Sequence, residues 1–207
     1  MTNHYKTEQE AFWAGEFGDE YLKRNQGPGI LASNIALFAK ALRHAQAINS
    51  VFEFGANIGN NMRALHPLFP TAELHAIEIN VNAFKELKTL PYVSAVNGSI
   101  LDYVPTRTFD LVLIKGVLIH LDPEVLTDVY KKLFEASHRY IMLTEYYNPT
   151  PVEVSYRGHS NRLFKRDFAG ELMECHPTLE LIDYGFSYHR DPKWPQGDAN
   201  WFLMEKH

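Results

Sequence analysis

Polar residues that could bind a nucleoside stand at the ends of three successive apolar runs. The first run ends in the glycine-rich segment EFGANIG (53–59), the second ends in Glu78 and Ile79, and the third leads to Ser99 and Ile100. A carboxylate about 20 residues beyond a glycine-rich turn is placed to accept ribose hydroxyl groups. A polar residue beside an apolar one suits an adenine ring. Together these groups predict a site for an adenosine compound.

The glycine-rich segment also indicates the charge of the ligand. Gly55 and Gly59 let the backbone approach a ligand closely, whereas Glu53 favours a cation and would repel a pyrophosphate. A dinucleotide fingerprint needs glycine where this chain has Asn57 and Asn60. Asn tolerates a positive φ better than other non-glycine residues, so we expect Asn57 to make the turn. An NAD-type oxidoreductase, which shares this kind of fold, is the alternative.

Residues beyond the fourth and fifth apolar runs could act on a second molecule, an acceptor. His120 follows the fourth run, and an ordinary pKa of about 6.5 suits a histidine to act as a base; a histidine bonded to a loop backbone is the alternative. Glu145, Tyr146 and Tyr147 end the fifth run. We predict catalytic roles for His120, Glu145 and Tyr146 and substrate contact for Tyr147, with simple wall packing of a tyrosine as the alternative.

The polar loop after the fifth run carries Tyr156, Arg157, His159 and Arg162. Guanidinium groups bind carboxylates through two parallel hydrogen bonds, and loops on a rigid scaffold often carry function. We predict that these four residues bind an acidic acceptor; a solvated loop with surface ion pairs is the alternative.

An N-terminal helix and a lysine complete the predicted ligand site. Phe17, Tyr21 and Leu22 have helical spacing, and we expect their helix to close over the ligand as a lid, with Tyr21 in contact with it. An ordinary packing face is the alternative. Lys115, at the end of the fourth run, is predicted to contact the ligand too.

The elements that must position these residues alternate along the chain. Strands are predicted at 50–55, 72–79, 92–98, 109–116, 139–147, 179–189 and 199–206, and helices at 17–22, 30–47, 58–69, 81–90, 122–136 and 164–175. Continuous apolar strands between helices predict a parallel sheet covered on both faces. The fold class is α/β: a doubly wound, mostly parallel seven-stranded sheet with an antiparallel terminal strand. A helical cap (1–48) and the sheet domain (49–207) are expected to form one compact unit.

Composition argues against several classes of partner. The 207 residues suit one domain, and the net charge of −5, from 20 basic and 25 acidic residues, argues against nucleic-acid and membrane partners. The histidines lack metal-ligand spacing, so no metal is predicted. One cysteine, Cys175, excludes an internal disulfide framework and is expected to be buried. No signal peptide and no apolar run near about 18 residues are seen, so the expected location is cytoplasmic.

The motifs of residues 50–206 resemble those of class I S-adenosylmethionine (SAM)-dependent methyltransferases: an acidic glycine-rich turn, an acidic second strand end and a polar third strand end. A narrower resemblance is to the methylases associated with pseudaminic acid biosynthesis. The segments that carry it are FWAGEFGDEYLKRN (12–25), VFEFGANIGNN (51–61), KGVLIHLDP (115–123), TEYYNPTPVEVSYRGHSNRLFKRDF (144–168) and NWFLMEK (200–206).

The resemblance implies a Rossmann-like fold, SAM as the cofactor and methyl transfer to an oxygen or nitrogen of a small polar acceptor, a nonulosonic sugar or its precursor. Another small metabolite as acceptor and a non-catalytic SAM-binding protein are alternatives. A nucleic-acid methyltransferase is disfavoured, because residues 115–118 lack the [DNS]-P-P-[YF] motif of base amino methylation. A homodimer is left open.

Overall fold

A twisted sheet with helices on both faces forms the body of the molecule. The computed structural model describes residues 5–25 and 27–207, with Pro28 described by its backbone alone. Within these residues the strands are β1 (Ser50–Phe54), β2 (Glu73–Glu78), β3 (Val93–Asn97), β4 (Phe109–Lys115), β5 (Ser137–Glu145), β6 (Val152–Glu153), β7 (Phe164–Lys165), β8 (Leu179–Ser187) and β9 (Ala199–Lys206). The helices are α1 (Glu8–Ala14), α2 (Glu16–Arg24), α3 (Pro28–Ala41), α4 (Asn60–Leu68), α5 (Val81–Leu87), α6 (Leu126–Ala136) and α7 (Phe168–Cys175).

The strand order confirms the predicted fold class. In the described chain the main sheet has seven strands in the order β3-β2-β1-β4-β5-β9-β8. The first five are mutually parallel, and β9 runs antiparallel between β5 and β8. The chain leaves β1 towards β2 on one side and later returns to β4 on the other. The carboxyl ends of β1 and β4 therefore border the crevice in which such sheets bind ligands.

Two hydrophobic cores explain why the strands read as continuous apolar runs. Alternate side chains of a strand point to opposite faces of the sheet. Phe52 and Val112 join the core under α6 and α7, whereas Val51 and Leu111 join the core under α3, α4 and α5. Because both faces are covered, both sets of side chains must be apolar.

Several element boundaries differ from those predicted. The helix predicted at 30–47 ends at Ala41, and the one predicted at 164–175 begins only at Phe168, because Phe164–Lys165 pairs with Val152–Glu153 as a small hairpin. The helix predicted from residue 122 begins as a 3-10 turn, with the Asp122 carboxylate capping it, before α6 starts.

One further expectation was wrong. Cys175, expected to be buried, is exposed. It stands at the very end of α7, which buries Phe168, Ala169 and Leu172 in its earlier turns.

Two short helices at the N-terminus stand where one was predicted. Thr7 caps α1 by accepting a hydrogen bond from the Glu10 N–H, and the Glu10 carboxylate accepts from the Thr7 N–H in return, a capping box. The Asn80 amide, at the end of β2, donates to the Asp19 carboxylate at 2.9 Å and to the Trp13 carbonyl at 3.3 Å. We call α1 and α2 the N-terminal cap; these bonds tie it to the sheet.

None of the helices in the described ranges is both long and apolar enough to cross a membrane.

Close approach of α1 and α2 requires a glycine at residue 18. A Cβ atom there would lie 1.9 Å from the Trp13 carbonyl oxygen and 2.8 Å from the Asn80 amide nitrogen. We expect Gly18→Ala to destabilise the protein by about 2 kcal/mol, as overpacking does, and to expose the cap to limited proteolysis. Urea denaturation and protease digestion measure the two effects.

Gly29→Ala is the matched control. Gly29 lies in α3, and no described atom comes within 4 Å of a Cβ placed there. Alanine is favoured over glycine inside a helix by up to about 1 kcal/mol, so this variant should be as stable as the wild type or more so. Equal stability of the two variants would contradict the assigned role of Gly18.

Candidate functional site

The glycine-rich turn after β1 has the backbone that its sequence predicts. Gly55, Asn57 and Gly59 all have positive φ angles, of 75°, 51° and 82°. Asn57 therefore takes the left-handed conformation expected of it. Glycine is also required at residue 55 for space, because a Cβ there would lie 2.6 Å from the Val117 side chain.

The Glu78 carboxylate joins this turn to the end of β2. Its Oε2 accepts the Asn57 N–H and its Oε1 accepts the Asn80 N–H, both at 2.7 Å. Burial raises the pKa of Glu78, and the backbone N–H donors oppose that rise by stabilising the charged form. The turn and the cap of α5 are therefore held in one geometry by one side chain.

A cavity of about 500 Å³ opens at the carboxyl ends of the strands, within the range of small-molecule sites. It brings together predicted residues from five strand ends and the cap. Those lining it are Tyr21, Gly55, Asn57, Glu78, Ile79, Ser99, Ile100, Lys115, His120, Glu145, Tyr146 and Tyr156. Glu53 and Gly59, also predicted to hold the cofactor, are outside the described lining.

The N-terminal cap forms the roof of this cavity. Gln9 and Glu10 of α1 line it, and the Ser99 hydroxyl donates a short hydrogen bond to the Glu10 carboxylate while accepting from the Leu101 N–H. Gln9 and Glu10 were not predicted from the sequence to line the site. The capping-box pattern from Thr7 to Glu10 is the sequence signal that would have revealed their helix.

Two acids and a lysine lie at the carboxyl ends of β1, β4 and β5. Glu53 is fully buried; its Oε1 accepts a 2.5 Å hydrogen bond from the Asn61 amide, and its Oε2 has no partner among the described residues. Burial raises the pKa of Glu53 to about 8. Burial lowers the pKa of Lys115, although Glu53 and Glu145 oppose this.

Glu145 fixes the turn that follows β4. Its carboxylate accepts the N–H groups of Val117 and Leu118 at 2.9 and 3.0 Å. Burial raises the pKa of Glu145 to about 7 despite these donors. The residue predicted to be catalytic thus has a clear structural task, which is to hold the backbone that leads to His120.

His120 faces the cavity in a single neutral form. Its Nδ1–H donates to the Arg162 carbonyl oxygen at 2.6 Å, which leaves Nε2 as the acceptor. Burial lowers the pKa of His120 to about 4, so the ring is uncharged near pH 7. The ring bonds a loop backbone, as the alternative interpretation expects, and it also lines the cavity; its catalytic role stays a prediction.

Aromatic rings form the wall around His120. The Trp13 ring lies 4.5 Å from the His120 ring and 5.3 Å, edge to face, from the Tyr21 ring, and Tyr156 lies 4.9 Å from His120 between centroids. Burial raises the pKa of Tyr21 to about 12 and also raises that of Tyr146. The tyrosine hydroxyls are therefore protonated at neutral pH and can donate hydrogen bonds.

The other residues predicted to bind the acceptor lie outside the described lining of the cavity. Arg162 forms an ion pair with Glu8 of α1 at 3.2 Å, and Arg157 lies over the Tyr156 ring. His159 packs against aromatic residues of the cap, and Tyr147 is 41% exposed. In this arrangement Arg162 and His159 support the cap.

Among the described residues, no group of three or more His, Cys, Asp or Glu side chains is placed to hold a metal ion.

Solved structures of known enzymes share this fold. Glycopeptide N-methyltransferase MtfA complexed with S-adenosyl-L-homocysteine (SAH) has a TM-score of 0.65 at 14% identity, over 94% of this chain and 99% of its own. Magnesium protoporphyrin IX methyltransferase (ChlM) from Synechocystis PCC 6803 with bound SAM scores 0.70 at 11% identity, over 99% and 100%.

Coclaurine N-methyltransferase bound to N-methylheliamine and SAH scores 0.73 at 12% identity, over 97% of this chain and 83% of its own. The fold is therefore the Rossmann-like fold of class I SAM-dependent methyltransferases. No protein-family model and no curated protein sequence matches the chain.

The raised pKa of Glu53 predicts how the free energy of unfolding depends on pH. The folded protein keeps a proton on this group up to about pH 8, whereas the group loses it near the ordinary value of 4.5 in the unfolded chain. The folded state binds more protons between these values, so the free energy of unfolding contributed by Glu53 falls as pH rises from about 4.5 to about 8.

We expect Glu53→Gln to remove that part of the pH dependence, on the order of 3 kcal/mol between about pH 5 and about pH 8. Urea denaturation at both pH values measures it. Glu73→Gln, which changes an exposed acid paired with Arg107, should keep the dependence. An equal change in the free energy of unfolding between the two pH values in the wild type and Glu53→Gln would contradict the raised pKa of Glu53.

Proposed function

We propose that this protein is a SAM-dependent methyltransferase that acts on an oxygen or nitrogen of a small polar acceptor. The observation that carries the proposal is the convergence of the positive-φ turn, Glu78 and Ser99 on one cavity of a class I methyltransferase fold. The residues present fit the cofactor. A buried carboxylate oxygen of Glu53 without a described partner suits a cationic ligand, and a Glu78 carboxylate suits ribose hydroxyls.

Different residues would contact the ribose, the adenine and the amino-acid end of the cofactor. The Glu78 carboxylate would accept hydrogen bonds from the ribose, and Ser99 with Ile100 would contact the adenine. Glu53, Lys115 and the turn would hold the amino-acid end. When bound, SAM supplies a methyl group on a sulfonium centre that is already a good leaving group, so positioning provides most of the catalysis.

The aromatic wall would orient the acceptor. Nε2 of His120 is free to accept a hydrogen bond from an acceptor hydroxyl or amine, because Nδ1 holds the ring through the Arg162 carbonyl. The protonated hydroxyls of Tyr21 and Tyr146 would donate to acceptor oxygens. The N-terminal cap, tied down through Ser99 and Asn80, would exclude water from the reacting groups.

The acceptor that we propose to test first is a nonulosonic sugar or its precursor. The sequence resemblance supports this choice, and the aromatic and polar lining of the cavity suits a polyol. The cytoplasmic location stays a prediction, and the homodimer stays an open question. The structures that share the fold are named for a glycopeptide, magnesium protoporphyrin IX and coclaurine, so other small metabolites belong in the same panel.

Removal of the Glu78 carboxylate tests the cofactor site. We expect Glu78→Ala to weaken SAM binding by about 100-fold or more, because two hydrogen bonds to a charged group are lost. Isothermal titration calorimetry measures it. Glu73→Ala, at the start of β2 and on the exposed surface, should bind SAM like the wild type.

Circular dichroism shows whether the Glu78→Ala variant folds; if it does not, Glu78→Gln, which keeps one acceptor oxygen, should still weaken binding about tenfold. Unchanged SAM affinity in a folded variant would refute the assignment of Glu78. Stabilisation by NAD in place of SAM in a thermal-shift assay would favour the oxidoreductase alternative.

Mass spectrometry of a sugar and metabolite panel incubated with methyl-labelled SAM tests the reaction. We expect one acceptor to gain a single labelled methyl group with the wild type. His120→Ala should lower that turnover by about 10²-fold or more if Nε2 acts on the acceptor proton. SAM binding without transfer to any acceptor of the panel would favour a non-catalytic SAM-binding protein.

A further inference from the structure

A line of side-chain amides runs from the loop between β8 and β9 to the buried Glu53. The Gln196 amide donates to the Asn34 side-chain oxygen at 2.8 Å, and the Asn34 amide donates to the Asn61 side-chain oxygen at 3.1 Å. The Asn61 amide then donates to Glu53 Oε1 at 2.5 Å. The four residues come from the loop, α3, α4 and β1, so the line connects four separate parts of the fold.

The direction of the bonds is the same at every step. Each amide uses its oxygen to accept from the previous residue and its nitrogen to donate to the next, and the line ends on a carboxylate, which only accepts when charged. Asn34 is buried, and Asn34, Asn61 and Gln196 all line the cavity. A reversed Asn61 amide would turn its oxygen towards the Glu53 carboxylate, so Asn34 fixes the orientation in which Asn61 donates.

The ionisation of Glu53 depends on the hydrogen bond that Asn61 donates. Asn61 of α4, Lys115 of β4 and Glu78 of β2 are the groups that act on its charge. Burial disfavours the carboxylate and Glu78 adds repulsion, whereas the Asn61 hydrogen bond and the Lys115 charge favour it. Oε2 of Glu53 is buried and has no partner among the described residues, and Asn61, which holds Oε1, lines the cavity.

We propose that Asn34 and Asn61 are positioning residues that orient the Glu53 carboxyl group and favour its ionisation when it binds the cationic amino-acid end of the cofactor. The inference rests on the proposed function, since it assumes that SAM is the ligand. The amides themselves act through Glu53. Gln196 extends the same line to the β8–β9 loop, so a wall of the cavity is tied to the group that receives the cofactor.

The ionisation of Glu53 distinguishes this role from simple packing. Loss of the Asn61 donor should raise the pKa of Glu53, whereas loss of packing alone should leave it in place. We expect Asn61→Leu to raise the pKa of Glu53 by about one unit. The titration is followed by the carboxyl infrared band of the full chain without ligand, as the difference from the same variant carrying Glu53→Gln.

The neighbouring Asn60 provides the matched control. Its amide donates to the Asn25 carbonyl in the N-terminal cap at 2.8 Å and has no bond to Glu53. Asn60→Leu should leave the pKa of Glu53 unchanged. If Asn61→Leu fails to fold, Asn34→Leu is the second variant. It keeps the bond between Asn61 and Glu53 but removes the hydrogen bond that orients the Asn61 amide. A smaller rise in the pKa of Glu53 is then expected.

Calorimetry with SAM at pH 7 links the ionisation to the ligand. A rise of one unit in the pKa of Glu53 should weaken SAM binding about tenfold in Asn61→Leu, and Asn61→Leu should add no further loss in a protein that already carries Glu53→Gln. The amine of SAM titrates equally in every variant and drops out of the comparison.

The outcomes distinguish a failure of the positioning role from a failure of the proposed function. An unchanged pKa of Glu53 in the Asn61 and Asn34 variants overturns the positioning role. A raised pKa with unchanged SAM affinity shows that Glu53 does not receive the cofactor, and overturns it too. Failure of the wild type to bind SAM at any pH refutes the proposed function itself, whatever the amides do to Glu53.

Discussion

One buried carboxylate holds the site together. Glu78 stands at the end of β2 and accepts N–H groups from Asn57 and Asn80, one in the turn after β1 and one at the cap of α5. Both loops leave parallel strands at the same edge, where their backbone N–H groups would otherwise lack partners. A side chain with two strong acceptors satisfies them and also presents its carboxylate to the cavity. The glycine-rich turn can therefore keep a left-handed asparagine at its centre.

The same end of β2 controls how the cavity is closed. Asn80 caps α5 with its side-chain oxygen and holds the N-terminal cap with its amide nitrogen. Glu10 meets Ser99 on the neighbouring loop, and Arg162 pairs with Glu8 at the start of α1. The cap is thus attached to the ends of β2 and β3 and to the polar loop.

Much of the fold could be predicted from the sequence because strands, helices and turns are indicated by patterns of neighbouring residues. Continuous apolar runs marked the central strands, and the spacing of Glu53, Gly55 and Glu78 located the predicted cofactor residues at adjoining strand ends. Local patterns did not reveal contacts between distant residues. Gln196 and Asn34 are 162 positions apart, and no periodicity links them. Arg162 of the polar loop shows the same limit, since it pairs with Glu8, more than 150 positions earlier; its contact with an acceptor stays a prediction.

The most direct test of the account is a crystal structure of the protein with bound SAH. The account predicts that both ribose hydroxyls lie within hydrogen-bond distance of the Glu78 carboxylate, that the adenine lies beside Ser99 and Ile100, and that the amino-acid end points to Glu53. A ligand bound elsewhere, or bound in the cavity with its ribose away from Glu78, would contradict it.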